Sequence, residues 1–275
     1  MSYFYYQSKR IYYTESGNGA PVLFLHGNTA SSKMFELLLP LYEERFHVIL
    51  IDFLGHGRSE RLERFPADLW MEEARQTTAL LEYLKLGKIS LVGTSGGAWA
   101  AINAALERPD LVGKVVADSF DGRTLADDFA RNLVLERASA KQDEMGVGFY
   151  EWCQGDDWER VVDMDTEAMI QCAEKKLPLF IKPLNGLKVP LLLMGSEEDE
   201  MCRKDFLEEY DAIAKETGAQ IQIFPTGNHP ALLPSNYLKH STKTIVCQYY
   251  CFAFPITAKR MKHPNVPSLL LIHTI

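Results

Sequence analysis

Short, unbroken apolar runs closed by turn residues, with helix-length amphipathic stretches between them, constrain this chain more than any other feature. PVLFLHG (Pro21 to Gly27), HVILID (His47 to Asp52), KISLVG (Lys88 to Gly93), KVVADSF (Lys114 to Phe120) and VPLLLMG (Val189 to Gly195) are such runs. A strand that is apolar at every position is covered on both faces, which is the signature of a parallel sheet wrapped by helices. KMFELLLPLYEE and AWAAINAALERP predict helices. Over residues 67–86, Leu69, Trp70, Ala74, Thr77, Leu81 and Leu84 recur at helical spacing. FYYQSK and RIYYTE predict an opening antiparallel hairpin, and QIQIFPTG (Gln220 to Gly227) a closing strand. The expected fold class is therefore α/β, with a mostly parallel central sheet flanked by helices.

Residues 121–188 hold helical patterns and no convincing strand, far more chain than a strand-to-strand crossover needs. They are expected to form a helical cap over the carboxyl ends of the strands, where open α/β sheets bind ligands. The expected organisation is a core of residues 1–120 and 189–234, a cap of residues 121–188, and an atypical tail of residues 235–275. No Asp or Glu follows Glu216, and the tail adds prolines with weak helical periodicity. Two readings stay open for it: sequence foreign to the fold, as a reading-frame change would give, or an ordered extension.

A formal net charge of -8 argues against nucleic-acid binding, which needs a basic face. No apolar run reaches the roughly 18 residues that span a bilayer. MSYFYYQSKRIYY does not read as a signal peptide, and an odd set of five cysteines without CxxC pairs suits a reducing compartment. A cytoplasmic protein is expected, acting on a small molecule without nucleic acid or membrane as partner. The sequence does not fix its oligomeric state.

The sharpest chemical signal is Gly93-Thr94-Ser95-Gly96-Gly97, placed after a strand and before a helix. A serine on so tight a turn is strained, and glycines two residues to either side remove clashing Cβ atoms. The turn lifts the hydroxyl to a helix N-terminus, where amides favour a developing anion. Leu25-His26-Gly27-Asn28 closes the earlier strand. In such an arrangement the amides of Asn28 and Gly96 can form an oxyanion hole. His26 reads as a structural hydrogen-bonding residue, and Asp52 or Ser59 as caps of the Asp52-to-Ser59 turn.

With HGN (26–28), DFLGHGRS (52–59), GTSGG (93–97), MGSEED (194–199) and GNHP (227–230), the chain resembles the α/β-hydrolase superfamily from about Phe4 to about Pro234. It is most similar to small bacterial members with a helical cap, of carboxylesterase type. The resemblance implies a nucleophile, acid and base in that order along the chain. His229 is then the base and Asp199 the best acid, with Glu197 and Glu198 competing and Asp118 or Asp121 as runners-up after the preceding strand. It implies a serine hydrolase of small to medium carboxylic esters acting through an acyl-enzyme, with no cofactor and no metal. No metal-ligand spacing is visible in the sequence. The dehalogenases and epoxide hydrolases of the superfamily use an aspartate nucleophile, which Ser95 disfavours. C–C bond hydrolases, perhydrolases or haloperoxidases, aminopeptidases and a non-catalytic ligand-binding homologue are the alternatives. Phe149, Tyr150, Trp152, Trp158, Met164, Met169 and Phe180 are either an apolar acyl pocket or plain packing.

Overall fold

A computed structural model describes residues 2–233; the sequence expectation for residues 235–275 lies outside them. The chain opens with β1 (Ser2–Tyr6) and β2 (Lys9–Ser16), an antiparallel hairpin. Its two turn residues, Gln7 and Ser8, both have positive φ (49° and 68°), the combination that matches the twist of a two-residue hairpin. β2 pairs antiparallel with β4 (Phe46–Asp52). Every other pairing is parallel, through β3 (Ala20–Leu25), β5 (Ile89–Thr94), β6 (Val112–Asp118), β7 (Leu191–Ser196) and β8 (Gln220–Phe224). Among the described residues eight strands run in the order β1-β2-β4-β3-β5-β6-β7-β8.

Successive strand residues serve opposite faces, and both faces are covered. Leu23, Leu25, Leu91, Val115 and Leu193 enter one apolar cluster, while Val22, Phe24, Val92, Val116 and Leu192 enter the other. This explains why the runs lack polar alternation. Between strands lie α1 (Leu39–Tyr42), α2 (Leu69–Leu84), α3 (Gly96–Glu107) and, after β7, α7 (Phe206–Thr217). α3 is buried from Gly96 to Leu106, as its apolar character all round requires. The helix expected in KMFELLLPLYEE divides into a 3-10 segment, Ser32–Leu38, and the single turn α1. Pro40, near the start of α1, lacks the N–H that would continue one helical ladder through both.

After β3 the chain crosses to β4 on one side, then returns to β5 on the other. That reversal opens a crevice at the carboxyl ends of β3 and β5, where Leu25 and Gly93 are in register. The segment between β6 and β7 contributes α4 (Phe129–Ala140), α5 (Glu144–Gln154) and α6 (Trp158–Glu174), and no strand among the described residues. Tyr150, Trp158 and Val162 form a small core there, with Tyr150 and Trp158 stacked at 5.6 Å, while Met169 joins the main core. Tyr150, Trp158 and Met169 are buried, whereas Trp152 is exposed. No helix among the described residues is long and apolar enough to cross a membrane.

The joint between β5 and α3 tolerates no added atom at Gly93, where a Cβ would run into the Gly97 carbonyl. At Gly148, on α5, a Cβ meets nothing. Gly93→Ala should therefore destabilise by about 1–3 kcal/mol, whereas Gly148→Ala should stabilise by about 0.4–1 kcal/mol through loss of unfolded-state freedom. Urea denaturation of both variants measures the two opposite signs.

Candidate active site

Ser95 stands between the last residue of β5 and the first of α3, with φ 54° and ψ −123°. Such a conformation is rare outside glycine and persists only where the surroundings enforce it. The enforcement is visible on three sides. The Ser95 N–H donates to the Asp118 carbonyl at 2.8 Å. A Cβ on Gly97 would strike the Leu25 carbonyl, and one on Gly27 would lie 2.9 Å from the Ser95 Cβ. Gly96, as the first residue of α3, has an amide that no carbonyl of the helix can accept.

The loop after β3 is held by its own buried groups. Phe53 N–H donates to His26 Nε2 at 3.1 Å, so the ring proton sits on Nδ1, 2.8 Å from the Gly27 carbonyl. Burial lowers this imidazole to about 4, with the nearby His56 acting in the same direction. His26 thus has the structural part read from the sequence. Asp52 ties the turn beyond β4, accepting the Ser32 and Arg58 amides at 2.7 Å each. Ser59 accepts the Tyr12 amide at 2.8 Å.

Asn28 is gripped from two directions. Its side-chain Oδ1 accepts Trp70 Nε1–H at 3.0 Å, and its side-chain Nδ2 donates to Asp165 on α6 at 2.8 Å. Gln154, at the end of α5, donates to the Thr29 and Ala30 carbonyls at 2.9 and 2.8 Å and accepts the Gly57 amide at 2.8 Å. Arg61 forks onto Asp157 and also reaches the Gly57 and Gln154 carbonyls. Asp165 has no solvent exposure and faces His56 Nε2 at 3.5 Å and Arg137 at 3.9 Å. The sequence reading missed Asp165 and Gln154. A signal for Asp165 exists: it falls on the buried stripe Val161, Val162, Asp165, Ala168, Met169, Cys172 of α6, where a carboxylate needs a partner.

A second group forms on the loops beyond β7 and β8. His229 Nδ1 lies 3.0 Å from both carboxylate oxygens of Asp199, whose side chain is fully covered. Asp199 Oδ1 also accepts the Met201 and Cys202 amides at 3.0 and 3.1 Å. Burial opposes ionisation of Asp199, yet the hydrogen bond and charge of His229 hold its carboxyl below the usual range. Burial alone would lower His229; its bond to Asp199 and that carboxylate's charge raise it on balance. The other acids considered from sequence have different partners. Asp118 accepts the Leu232 amide at 3.0 Å, and burial pushes it up to about 7. Asp121 accepts the Arg203 amide and Glu198 the Gly227 amide; Glu200, which was not among them, accepts the His229 amide. Asp118 also links the two groups, because its carbonyl holds the Ser95 amide while its carboxyl holds Leu232, just past His229.

Asp199, Cys202 and His229 moreover bring a carboxylate oxygen, a sulfur and a ring nitrogen within 4.8 Å of one another. The sequence reading found no metal-ligand cluster; Asp199 and Cys202 lie three residues apart along the chain, and the fold brings His229 to them.

A family model described as the alpha/beta hydrolase family matches residues 22–237. The chain is 39% identical over 107 residues to a 2-(acetamidomethylene)succinate hydrolase of Mesorhizobium japonicum, covering 38% of this chain and 37% of that one. It is 33% identical over 107 residues to haloalkane dehalogenase 2 of Mycobacterium bovis, covering 39% and 37%. The chain thus spans little more than a third of the length of these two curated relatives. The crystal structure of an esterase from Exiguobacterium antarcticum superposes with a TM-score of 0.67 at 21% identity, covering 88% of this chain and 95% of that one, a likeness of fold.

The unfolded chain takes up a proton at a histidine near 6.5, whereas His26 in the fold takes it up only near 4. This group alone therefore withdraws stability as pH falls from about 6.5 towards 4, by about 3 kcal/mol in all. Nitrogen-detected NMR of the imidazoles should show His26 still neutral, with its proton on Nδ1, at pH 5; a charged ring there would refute the assignment.

Proposed function

The chain belongs to the alpha/beta hydrolase family, and from that premise we propose that it is a serine hydrolase of small to medium carboxylic esters. The observation that carries this reading is the strained Ser95 at the mouth of the β3/β5 crevice, coupled through Asp118 to the Asp199–His229 pair. Ser95 Oγ attacks the ester carbonyl while His229 Nε2 accepts its proton. The carbonyl electrons move onto oxygen, where the amides of Asn28 and Gly96 receive them. Collapse of this intermediate expels the alcohol, which takes the proton back from His229 and leaves an acyl-Ser95. Water then repeats the sequence and frees the acid. Asp199 keeps the Nδ1 proton in place, so that Nε2 is the free base, and stabilises the ring once charged.

The helices between β6 and β7 serve as the cap in this reading. Their anchors on residues 28–30, 57 and 61 support it. Among the described residues Cys153, Cys172 and Cys202 are unpaired, which suits a cytoplasmic setting. A second reading, hydrolysis of a C–C or amide-type bond by the same groups, draws support from the Mesorhizobium relative, whose name is that of a 2-(acetamidomethylene)succinate hydrolase.

Ser95→Ala and His229→Ala should each lower kcat on p-nitrophenyl esters by roughly 10⁴-fold, with the double variant little worse. Asp199→Asn should lower it by roughly 10³- to 10⁴-fold through the wrong tautomer. Asp118→Asn should be mild, since an amide oxygen can still accept the Leu232 N–H. Near-normal turnover by Ser95→Ala would end the reading, and a severe loss in Asp118→Asn alone would move the acid to β6. A rise in kcat/KM out to long chains, with activation at an oil–water interface, would indicate a lipase.

A further inference from the structure

Three donors of different chemistry converge at Asp199, Cys202 and His229, all within 4.8 Å of one another. The convergence follows from the local backbone. Asp199 Oδ1 accepts the Cys202 amide at 3.1 Å, which folds the loop so that residue 202 lies beside the carboxylate it follows. His229 arrives from the turn beyond β8, its Nδ1 3.0 Å from both Asp199 oxygens. Around a tetrahedral zinc ion, bonds of roughly 2.0–2.3 Å place neighbouring donors about 3.2–3.6 Å apart. The nitrogen–oxygen edge is therefore within a few tenths of an ångström of what an ion needs, and the sulfur edge within about 1.5 Å. Asp199 is buried, while Cys202 and His229 are half-buried, so the approach from solvent is by way of these two residues.

The surroundings favour a cation. The Asp199 carboxylate lies within 4.8 Å of both the Cys202 sulfur and the His229 ring. Glu200 adds its charge beside His229. A divalent ion bound to one carboxylate, one thiolate and one neutral imidazole forms a group of zero net charge, which this buried corner accommodates more readily than the free anions. One sulfur and one nitrogen among three donors select a borderline or soft ion. Magnesium and calcium ask for shells of oxygen.

We propose that Asp199, Cys202 and His229 form a site for a thiophilic divalent cation of zinc type, and that its occupation switches the hydrolase off. The ion takes the Nδ1 lone pair and displaces the proton shared with Asp199. That proton reappears on Nε2 as the ring changes tautomer, while the Cys202 proton leaves to solvent, so one proton is released per ion. A ring protonated on Nε2 cannot accept the Ser95 proton. The site rests on geometry alone, whereas the switch rests on the proposed role of His229.

Cobalt(II) titrated into the full-length protein reads the site without any substrate. A saturable thiolate-to-cobalt charge-transfer band is expected, lost in Cys202→Ala and Cys202→Ser, with affinity down roughly 100-fold for the missing ligand. Circular dichroism and Tm confirm that both variants fold. A band that persists in both variants, or no saturable binding at all, overturns the site. Zinc should inhibit ester turnover and a chelator should restore it, with calcium and magnesium inert. In Cys202→Ser, with rates taken relative to its own metal-free rate, inhibition should need roughly 100-fold more zinc. Cobalt or zinc bound through Cys202 without inhibition, in a protein that Ser95→Ala inactivates, overturns the switch while leaving the serine-hydrolase reading intact.

Discussion

The parallel pairing of β3 with β5 places Leu25 opposite Gly93 and brings two chain turns into contact at the centre of the sheet. Everything at the site hangs from this contact. The Leu25 carbonyl occupies the space a side chain at residue 97 would need, and Gly27 lies against Ser95. A chain so confined cannot leave β5 by an ordinary turn, and it takes the positive φ of Ser95 instead. The strain is carried by a rigid frame, since both strands are buried on both faces and α3 is buried from Gly96 to Leu106. A serine hydroxyl at a helix N-terminus is the consequence, whatever substrate meets it.

The second support is polar and comes from the segment between β6 and β7. Asp165 and Gln154 grip the loop that follows β3, and Arg61 fastens the loop after β4 to the same segment. Buried polar groups add little net stability, because desolvation offsets most of their attraction. Their value is in register. A helical segment that packed only through apolar contacts could slide by a fraction of a turn, whereas these bonds admit one position of Asn28 relative to Ser95.

Electrostatics around β6 and β7 divide the acids by environment. Asp199 is covered but meets His229 and two amides, so it stays ionised. Asp118, equally covered, meets one amide and no cation in direct contact, and its carboxyl rises towards neutrality. Two carboxyl groups close in space are thus fitted to different tasks, one to hold a proton on His229 and one to hold backbone at Ser95 and Leu232.

Much of this was legible in the sequence because it depends on short-range rules. Unbroken apolar runs announced strands covered on both faces, and Gly93 to Gly97 announced a turn that only glycines permit. His26 was recognisable as structural from its place between a strand end and a glycine. Pro40 carried the information that split the expected helix, although its effect depended on where the first turn of α1 began. What lay beyond the sequence involves partners far apart along the chain. The resemblance put Asp199 first, with Glu197 and Glu198 competing and Asp118 or Asp121 behind, but the contact of Asp199 with the turn after β8 is visible only in the fold. Asp165 and Gln154 looked like ordinary polar residues of helices until packing set them against Asn28 and Thr29. Of the Asp199, Cys202 and His229 grouping the chain shows only the step from 199 to 202, and His229 joins it through the fold. Local conformation is written by neighbours in sequence, through sterics and turn chemistry; which buried charge meets which is decided by how the sheet orders its strands, because only that fixes the distances on which Coulomb and hydrogen-bond energies depend.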